Sequence, residues 1–258
     1  MSGTLLQGIL FIGLSIALAV AGLVIVRHYV PLLELEANHV VGLGIFAVLG
    51  TIYAVLLSFV VIAAWEQFGQ ARQVAEQEAG HVANLYWLAQ ELPDPGRHQV
   101  QLALRDYAQA VVTQEWPLMG RNDYNLSLQP DQAWVRHDAI WQALAQQPDS
   151  RLHSQLLDEL RGLDQDRRSR LLSAEPSVPT LMWVILLGGE ILLVLSTYLF
   201  GTKRVVTQAL MTIGLAGTVA LILVLTYALS TPYSGYLHIE PTGFESVLSF
   251  MNLQLGTT

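Results

Sequence analysis

The chain has 258 residues, of which 52% are hydrophobic and 13% charged, with a net charge of −8 and no cysteine. Soluble domains carry about 25% charged residues, so the deficit indicates membrane-spanning segments. The negative charge excludes a basic nucleic-acid-binding surface. The lack of cysteine excludes disulfides, thiolate catalysis and cysteine-based zinc or iron–sulfur sites.

Four long apolar segments, two before and two after a polar middle, organise the chain. Residues 1–26, 40–64 and 205–230 carry no charged side chain, and residues 176–202 carry only Glu190. About 20 apolar residues in a helix cross a hydrocarbon core about 30 Å thick, so each segment is long enough to span. We predict an all-α membrane protein with four transmembrane helices in two hairpins and a helical soluble domain inserted between the second and third spans.

These boundaries divide the chain into four predicted regions. Residues 1–65 form the first transmembrane hairpin, and residues 66–176 form a helical extramembrane domain. Residues 177–230 form the second hairpin, and residues 231–258 form an extramembrane C-terminal tail. A short amphipathic helix is expected in this tail, over about 244–253.

The second apolar segment has no helix-breaking residue at its polar end. No proline follows until Pro93, which predicts one helix over about 40–91 that extends roughly 40 Å beyond the membrane. Alanines recur at every fourth position of this extension and share one helix face, which predicts close packing against another helix: Ala71, Ala75, Ala79 and Ala83.

The polar middle shows helical spacing throughout and no strand alternation. One helix is expected to close at Glu115-Trp116-Pro117, another to begin at Pro130-Asp131, and a last one to run over about 150–173. The acidic and basic residues from Asp164 to Arg170 indicate a solvated helix face. The seven histidines show no metal-binding spacing and are expected at the surface.

Several short runs carry a family resemblance that covers nearly all of residues 1–250, in order. The run from Gly50 to Val60, followed by Trp65-Glu66, resembles the second span of the bestrophin-like family of bacterial membrane proteins. Further matching runs are Leu104-Arg105-Asp106-Tyr107, Glu115-Trp116-Pro117, Tyr198-Leu-Phe-Gly201, Gln208-Ala-Leu-Met-Thr212 and Pro232-Tyr-Ser-Gly235. The resemblance implies four spans, a helical middle domain and, by analogy with bestrophins, a pentameric anion channel. The bestrophin Ca²⁺ clasp of clustered acidic residues has no match.

The distribution of basic residues predicts how the chain crosses a bacterial inner membrane as a multi-pass protein. No Lys or Arg precedes the first span, Arg27 follows it directly, and Lys203 and Arg204 occupy the second hairpin loop. The positive-inside rule then places the N-terminus and the helical domain outside the cytoplasm. Four arginines shortly before the third span oppose this orientation, and bestrophins keep their large domain in the cytosol.

Glu190 is the one ionisable residue near the middle of a span. An acidic side chain there costs roughly 2.5–3.5 kcal/mol on insertion scales, which by default indicates function. One interpretation is an ion-pathway or proton-coupled residue. The other is a protonated carboxyl that hydrogen-bonds a neighbouring Thr or Ser.

The second span carries the remaining pathway candidates, which are Gly50, Thr51, Tyr53 and Ser58. Small residues allow helices to approach closely in lipid, and polar groups there need hydrogen-bond partners, so interhelical packing is the alternative interpretation. We find no catalytic, phosphate-binding or metal-binding motif, and we predict no cofactor and no enzymatic activity.

Two functions remain open on the sequence alone. The first is a homo-oligomeric ion channel or channel-like pore, with residues 40–64 lining the pathway and inorganic ions as candidate partners. The second is a non-conducting membrane sensor or scaffold that presents the helical domain to partners. Both place the protein in a lipid bilayer and neither involves nucleic acid.

Overall fold

The structure is a computed structural model that describes residues 2–30, 39–121, 132–199 and 204–256. The described residues contain helices and no strand, as predicted. The helices are α1 (Ser2–Tyr29), α2 (His39–Ala89), α3 (Gly96–Ala110), α4 (Trp116–Met119), α5 (Gln132–Ala145), α6 (Arg151–Leu172), α7 (Thr180–Tyr198), α8 (Val205–Ser230) and α9 (Thr242–Leu255).

Four of these helices are long and apolar enough to cross a membrane: α1, α2, α7 and α8. The prediction of four spans in two hairpins is therefore confirmed. α2 is also continuous over 51 residues. No proline occurs between Trp65 and Ala89, and the glycines in this part of the chain do not end the helix. Lys203, on which part of the predicted orientation rests, lies outside the described residues.

The chain folds into two compact units, which we call the membrane unit and the helical unit. The membrane unit comprises Met1–Glu66 and Ser177–Ser230, and the helical unit comprises Gln67–Pro176 and Thr231–Thr258. The C-terminal residues thus belong to the same compact unit as the polar middle. The expected amphipathic helix over 244–253 is present as the longer α9.

In the membrane unit, α1 packs against α8 through small residues. A Cβ atom built on Gly8 would lie 3.0 Å from Val224, and one built on Gly217 would lie 3.3 Å from Ile16. The two helices are therefore antiparallel and close, as expected where side-chain packing drives association in lipid. The side chain of Leu23 is fully buried in this contact region.

In the helical unit, the second half of α2 packs with α3, α6 and α9 around one hydrophobic core. Ala71, Ala75 and Ala79 are buried in this core, whereas Ala83 is half-buried. A Cβ atom built on Gly243, at the start of α9, would lie 3.1 Å from the Cβ of Ala79. The alanine face thus admits α9 at close range.

The predicted end of a helix at Glu115-Trp116-Pro117 is wrong. The chain continues helically through a π-helical turn, Val111–Glu115, into α4. Pro117 is tolerated because it occupies the first turn of α4, where a missing N–H costs little. The π turn adds one residue and so shifts which side chains face the core. Residues 130 and 131, where the next helix was expected to begin, lie outside the described residues.

Candidate functional site

The pathway candidates of α2 lie on two opposite faces. Successive helical residues are about 100° apart, so Thr51 and Ser58 share one face and Tyr53 lies on the other. Tyr53 is buried, and its hydroxyl donates to the carbonyl oxygen of Leu186 on α7 at 3.1 Å. Its ring occupies the space that a Cβ of Gly189 would need.

Thr51 and Ser58 are exposed in the described chain. Each hydroxyl donates back to its own helix, to the carbonyl oxygens of Ala47 and Ala54, at 2.7 Å in both cases. Gly50 lies to one side of them and is half-buried, with Leu193 in ordinary contact range of a Cβ placed there. The structure therefore brings Tyr53 to α7 and leaves the two hydroxyl residues facing outward.

The exposed face of α2 that carries Thr51 and Ser58 is lined with small residues. It repeats with alternating spacings of three and four, and we call it the α2 stripe: Gly44, Ala47, Thr51, Ala54 and Ser58. This spacing keeps side chains in a line along a helix. Small side chains along that line leave room for a close approach by another helix or by water.

Glu190 lies apart from the α2 stripe, on the side of α7 that faces α1. It is only 6% exposed. The Ser15 hydroxyl of α1 donates to Glu190 Oε1 at 2.6 Å, and this is the one hydrogen bond that the described residues make to Glu190. Among the described residues, the carboxyl therefore has a serine donor and no cationic side chain in contact with it.

A second polar centre, which the sequence interpretation missed, lies in the core of the helical unit. We call it the charge cluster, and it consists of Glu78, Glu115, Arg167 and Arg170. All four residues are at most 3% exposed. The prediction that Arg167 and Arg170 lie on a solvated face is therefore wrong.

Arg170 is the centre of the charge cluster. Its Nε lies 2.5 Å from Glu78 Oε2 and its Nη2 lies 3.0 Å from Glu78 Oε1, while Nη2 also contacts Glu115 Oε2. Arg167 Nη2 lies 2.5 Å from Glu115 Oε1. Two positive and two negative charges therefore balance in a buried volume.

Aromatic groups surround the charge cluster. The guanidinium of Arg170 lies 5.2 Å from the ring centre of Trp116, which is cation–π range. The Tyr107 hydroxyl donates to Glu78 Oε1 at 2.5 Å. Burial, reinforced by the two carboxylates, raises the pKa of Tyr107 well above its ordinary value. Tyr107 therefore remains a hydrogen-bond donor throughout the physiological range.

The two kinds of charge in the cluster hold each other ionised. Burial alone raises the pKa of Glu115, but the charges and hydrogen bonds of Arg170 and Arg167 outweigh it and hold that pKa below its ordinary value. Burial likewise opposes the charged form of Arg170, but Glu78 and Glu115 raise the pKa of its guanidinium well above the ordinary value. Glu115 and Arg170 are therefore held in their charged forms.

Residue spacing contained a signal for these buried charges. The buried leucines of α6 recur as Leu156, Leu160 and Leu163, and the same alternation of four and three continues to Arg167 and Arg170. On α2, Glu78 likewise lies between the buried positions Ala75 and Val82. Continuing the buried spacing of three and four residues along each helix would have predicted that these charged residues lie in the core.

Two histidines are also less exposed than predicted. His137 is 5% exposed, and its Nε2 lies 2.7 Å from Asp164 Oδ1. The ring of His81 lies between Glu159 and Asp166, at 2.7 Å and 3.5 Å from their carboxylate oxygens. Among the residues that the structure describes, no group of three or more metal-ligating side chains is arranged to hold a metal ion.

These features define a helical membrane protein with four spans and an inserted helical domain. A family model described as the Bestrophin-like domain matches residues 13–244. The chain therefore belongs to the bestrophin-like family. No curated protein shows a significant sequence similarity to it.

Solved structures of bestrophin homologues share the fold. A bacterial bestrophin homologue from Klebsiella pneumoniae superimposes with a TM-score of 0.72 at 13% identity, over 95% of this chain and 98% of the other. A substituted form of that homologue gives 0.70 at 15% identity, over 95% and 99%. A structure described as a membrane protein gives 0.72 at 13% identity, over 95% and 98%. Similarity at this level of identity establishes the fold.

Proposed function

We propose that the protein is a subunit of a homo-oligomeric ion channel or channel-like pore of the bacterial inner membrane, with residues 40–64 lining the pathway. The observation that carries this proposal is the α2 stripe. It is exposed on a membrane-spanning helix, and two of its five residues bear hydroxyl groups, Thr51 and Ser58. Membership of the bestrophin-like family supports an oligomer, and a pentamer is the stoichiometry that the analogy with bestrophins suggests.

The geometry of α2 favours this face over the other candidates. Tyr53 is committed to α7 by its hydrogen bond and its contact with Gly189, so it cannot also line a pathway. Thr51 and Ser58 lie seven residues apart, or about 10 Å along the helix, and point the same way. Copies of α2 around an axis would therefore present two rings of hydroxyl groups between rings of small side chains.

A wall of hydroxyl and small residues carries no fixed charge. Ion selectivity in channels arises from rings of carbonyls, charged side chains or apolar constrictions. The span 40–64 contains no charged residue, so we propose that this part of the pathway conducts small inorganic ions without charge selection of its own. Glu190 faces α1 rather than lying on the α2 stripe, and we therefore place it outside the pathway wall.

The absence of cysteine from the sequence makes the test direct. The current through variants with a single cysteine in place of Thr51 or Ser58 would be recorded in planar bilayers while a water-soluble, positively charged thiol reagent is applied. The neighbouring exposed residues Ile52 and Phe59 provide matched controls, because each points about 100° away on the same helix. We expect the reagent to reduce current through T51C and S58C and to leave I52C and F59C unchanged.

Two results would contradict this function. If the purified protein gives no unitary currents under any ion gradient or pH, the sensor or scaffold function replaces the channel. If I52C and F59C respond as strongly as T51C and S58C, α2 does not line the pathway with the proposed face.

We further propose that residues 66–176, together with the tail that packs onto them, form the extramembrane part of the protein. The basic residues favour its location outside the cytoplasm, and the bestrophin analogy favours the cytosol. A single cysteine at Asp149, which is fully exposed, would decide between the two. Labelling of intact cells by a membrane-impermeant thiol reagent supports the outside location, and labelling only after lysis overturns it.

A further inference from the structure

A groove between α1 and α7 lies within the membrane unit and has a volume of about 350 Å³. Its walls run from Phe11 to Gly22 on α1 and from Leu187 to Tyr198 on α7. Eleven residues of helix rise about 16 Å, so the groove is long enough for a small organic molecule. A volume of this size lies within the range of small-molecule sites.

The groove is apolar except at three side chains, which are Ser15, Glu190 and Tyr198. The Tyr198 hydroxyl donates to the carbonyl oxygen of Ala19 at 2.6 Å, and the Ser15 hydroxyl donates to Glu190. Both hydroxyl hydrogens are therefore used within the protein. The second carboxylate oxygen of Glu190 accepts no hydrogen bond from any residue that the structure describes, and it is the polar group left to receive a ligand.

Basic residues fall outside the apolar segments of residues 1–66 and 177–230 in the sequence. They flank the ends of these segments: Arg27, His28, His39, Lys203 and Arg204. Arg27 follows Ser15 by twelve residues, a rise of about 18 Å along α1. A carboxylate in apolar surroundings without a cation is unfavourable, so a bound cation would be strongly stabilised.

The position of Glu190 restricts the kind of cation. It is the eleventh of the nineteen residues of α7, near the middle of the span, where phospholipid headgroups do not reach. Among the side chains that line the groove, a bare metal ion would find one carboxylate, that of Glu190, and no imidazole. Around it the groove is lined by apolar side chains that include Leu14, Leu18 and Ile191.

We propose that this groove binds an apolar molecule that carries one protonated amine. The ammonium group donates to Glu190 and supplies the missing positive charge, and the hydrocarbon body lies against the leucine and isoleucine side chains. The outer side chains of the groove are exposed, with Leu18 at 63% and Ile191 at 58%, so such a molecule enters from the hydrocarbon phase.

The test uses the full chain in lipid nanodiscs and a compact apolar amine, adamantylamine, in equilibrium dialysis against empty nanodiscs. Adamantanol has the same hydrocarbon body and no charge, and it provides the ligand control. We expect saturable binding of the amine to the protein, and binding of the alcohol that is weaker by about tenfold or more, because a charge-assisted hydrogen bond is lost.

Three variants separate the contribution of the carboxylate from that of the groove. Glu190→Gln is expected to weaken amine binding by about tenfold or more. Leu18→Trp places a bulkier side chain in the groove and is expected to abolish binding of the amine. Leu10→Trp changes a leucine of α1 with nearly the same exposure, 61%, that does not line the groove, and it is expected to bind like the wild type.

Four results would overturn the proposal. The first three are the absence of saturable amine binding beyond that of empty nanodiscs, equal binding of the amine and the alcohol, and equal binding by L18W and L10W. The last comparison stays decisive if Glu190→Gln does not fold, because both tryptophan variants retain the carboxyl. Unchanged binding by a folded E190Q protein would overturn it as well. None of these measurements depends on whether the protein conducts ions.

Discussion

Replacing Arg170 by methionine would remove the centre of the charge cluster while keeping an apolar side chain in its place. The guanidinium contacts two carboxylates that are both fully buried, and in the described part of the chain Arg167 would remain as the arginine in contact with one of them, Glu115. The cluster would change from two positive and two negative charges to one positive and two negative. One buried carboxylate would then lack a counter-charge.

The expected cost follows from this imbalance. Removing one partner of a buried ion pair destabilises proteins by about 3–5 kcal/mol, because the remaining charge stays buried without compensation. The substitution also removes the cation–π contact between Arg170 and Trp116, and we count that loss within the range of about 3–5 kcal/mol. Domains are stable by about 5–15 kcal/mol, so this single substitution would remove a large part of the total.

Urea denaturation of the full chain in detergent, followed by tryptophan fluorescence, provides the assay. Four of the six tryptophans lie in the helical unit, and Trp116 packs directly against Arg170. With an m-value of about 2 kcal/mol per molar urea, a loss of about 3–5 kcal/mol lowers the midpoint by about 1.5–2.5 M. Arg161 is the matched control, since it lies on the same helix in an exposed pair with Asp158. Arg161→Met should cost about 0.5 kcal/mol or less.

A double variant separates charge from packing. In Arg170→Met combined with Glu78→Gln, the carboxylate that loses its arginine becomes neutral and the Arg167–Glu115 pair remains, so the double variant should be more stable than R170M alone. If R170M and R161M have the same midpoint, or if the double variant is less stable than R170M, the cluster is not held by charge balance and the reasoning is refuted.

Three further predictions use the same denaturation assay. Glu115→Gln should destabilise the protein at pH 7. The pKa of Glu115 is lowered in the folded state, so the stability that its carboxylate contributes is fully present above the ordinary pKa of about 4.3 and is lost as the pH falls through the folded-state pKa. The difference in stability between wild type and E115Q should therefore shrink on acidification. A difference that stays constant with pH contradicts this. Tyr107→Phe removes a hydrogen bond to a buried carboxylate and should cost about 1.5–3 kcal/mol; a cost below about 0.5 kcal/mol contradicts it. Gly189→Ala should destabilise the protein because the Tyr53 ring fills the space, whereas Gly188→Ala, with nothing within 4 Å, should not; equal effects would mean that the α2–α7 contact is not tight.

Span number and helix continuity could be predicted because both depend on local sequence. Length and hydropathy alone determine which segments can cross a membrane, and the lack of a breaker after Trp65 predicts a long α2. The N-cap of α6 is equally local, since the Ser150 hydroxyl accepts from the backbone N–H of His153. Such features require no knowledge of which helices become neighbours.

The side that each helix turns toward its neighbours could not be predicted in the same way. α2 is apolar on all sides within the membrane, so hydropathy does not show that Tyr53 faces α7 while Thr51 and Ser58 face outward. The donor to Glu190 is Ser15, which is 175 residues away in sequence. A pairing over that distance depends on how α1 and α7 pack, and composition carries no information about it.

The burial of the charge cluster is a different case, because residue type and spacing disagree. A run with Asp164, Asp166 and three arginines has the composition of a solvated surface, and composition was given more weight than the spacing of the leucines. Spacing proved the better guide, since buried charges are tolerated where opposite charges meet. Glu78 and Glu115 come from other helices, and neither is near α6 in sequence.

Buried charge is handled differently in the two units. In the helical unit, Glu78 and Glu115 each contact a buried arginine, and the charges sum to zero. In the membrane unit, Glu190 has a serine hydroxyl and no cation within its span. An ion pair offsets much of the cost of burial, whereas a single neutral donor offsets only part of it. Among the buried acids that the structure describes, Glu190 is thus the one whose hydrogen-bond partner is a neutral hydroxyl alone, and the proposed ammonium ligand would supply the positive charge there.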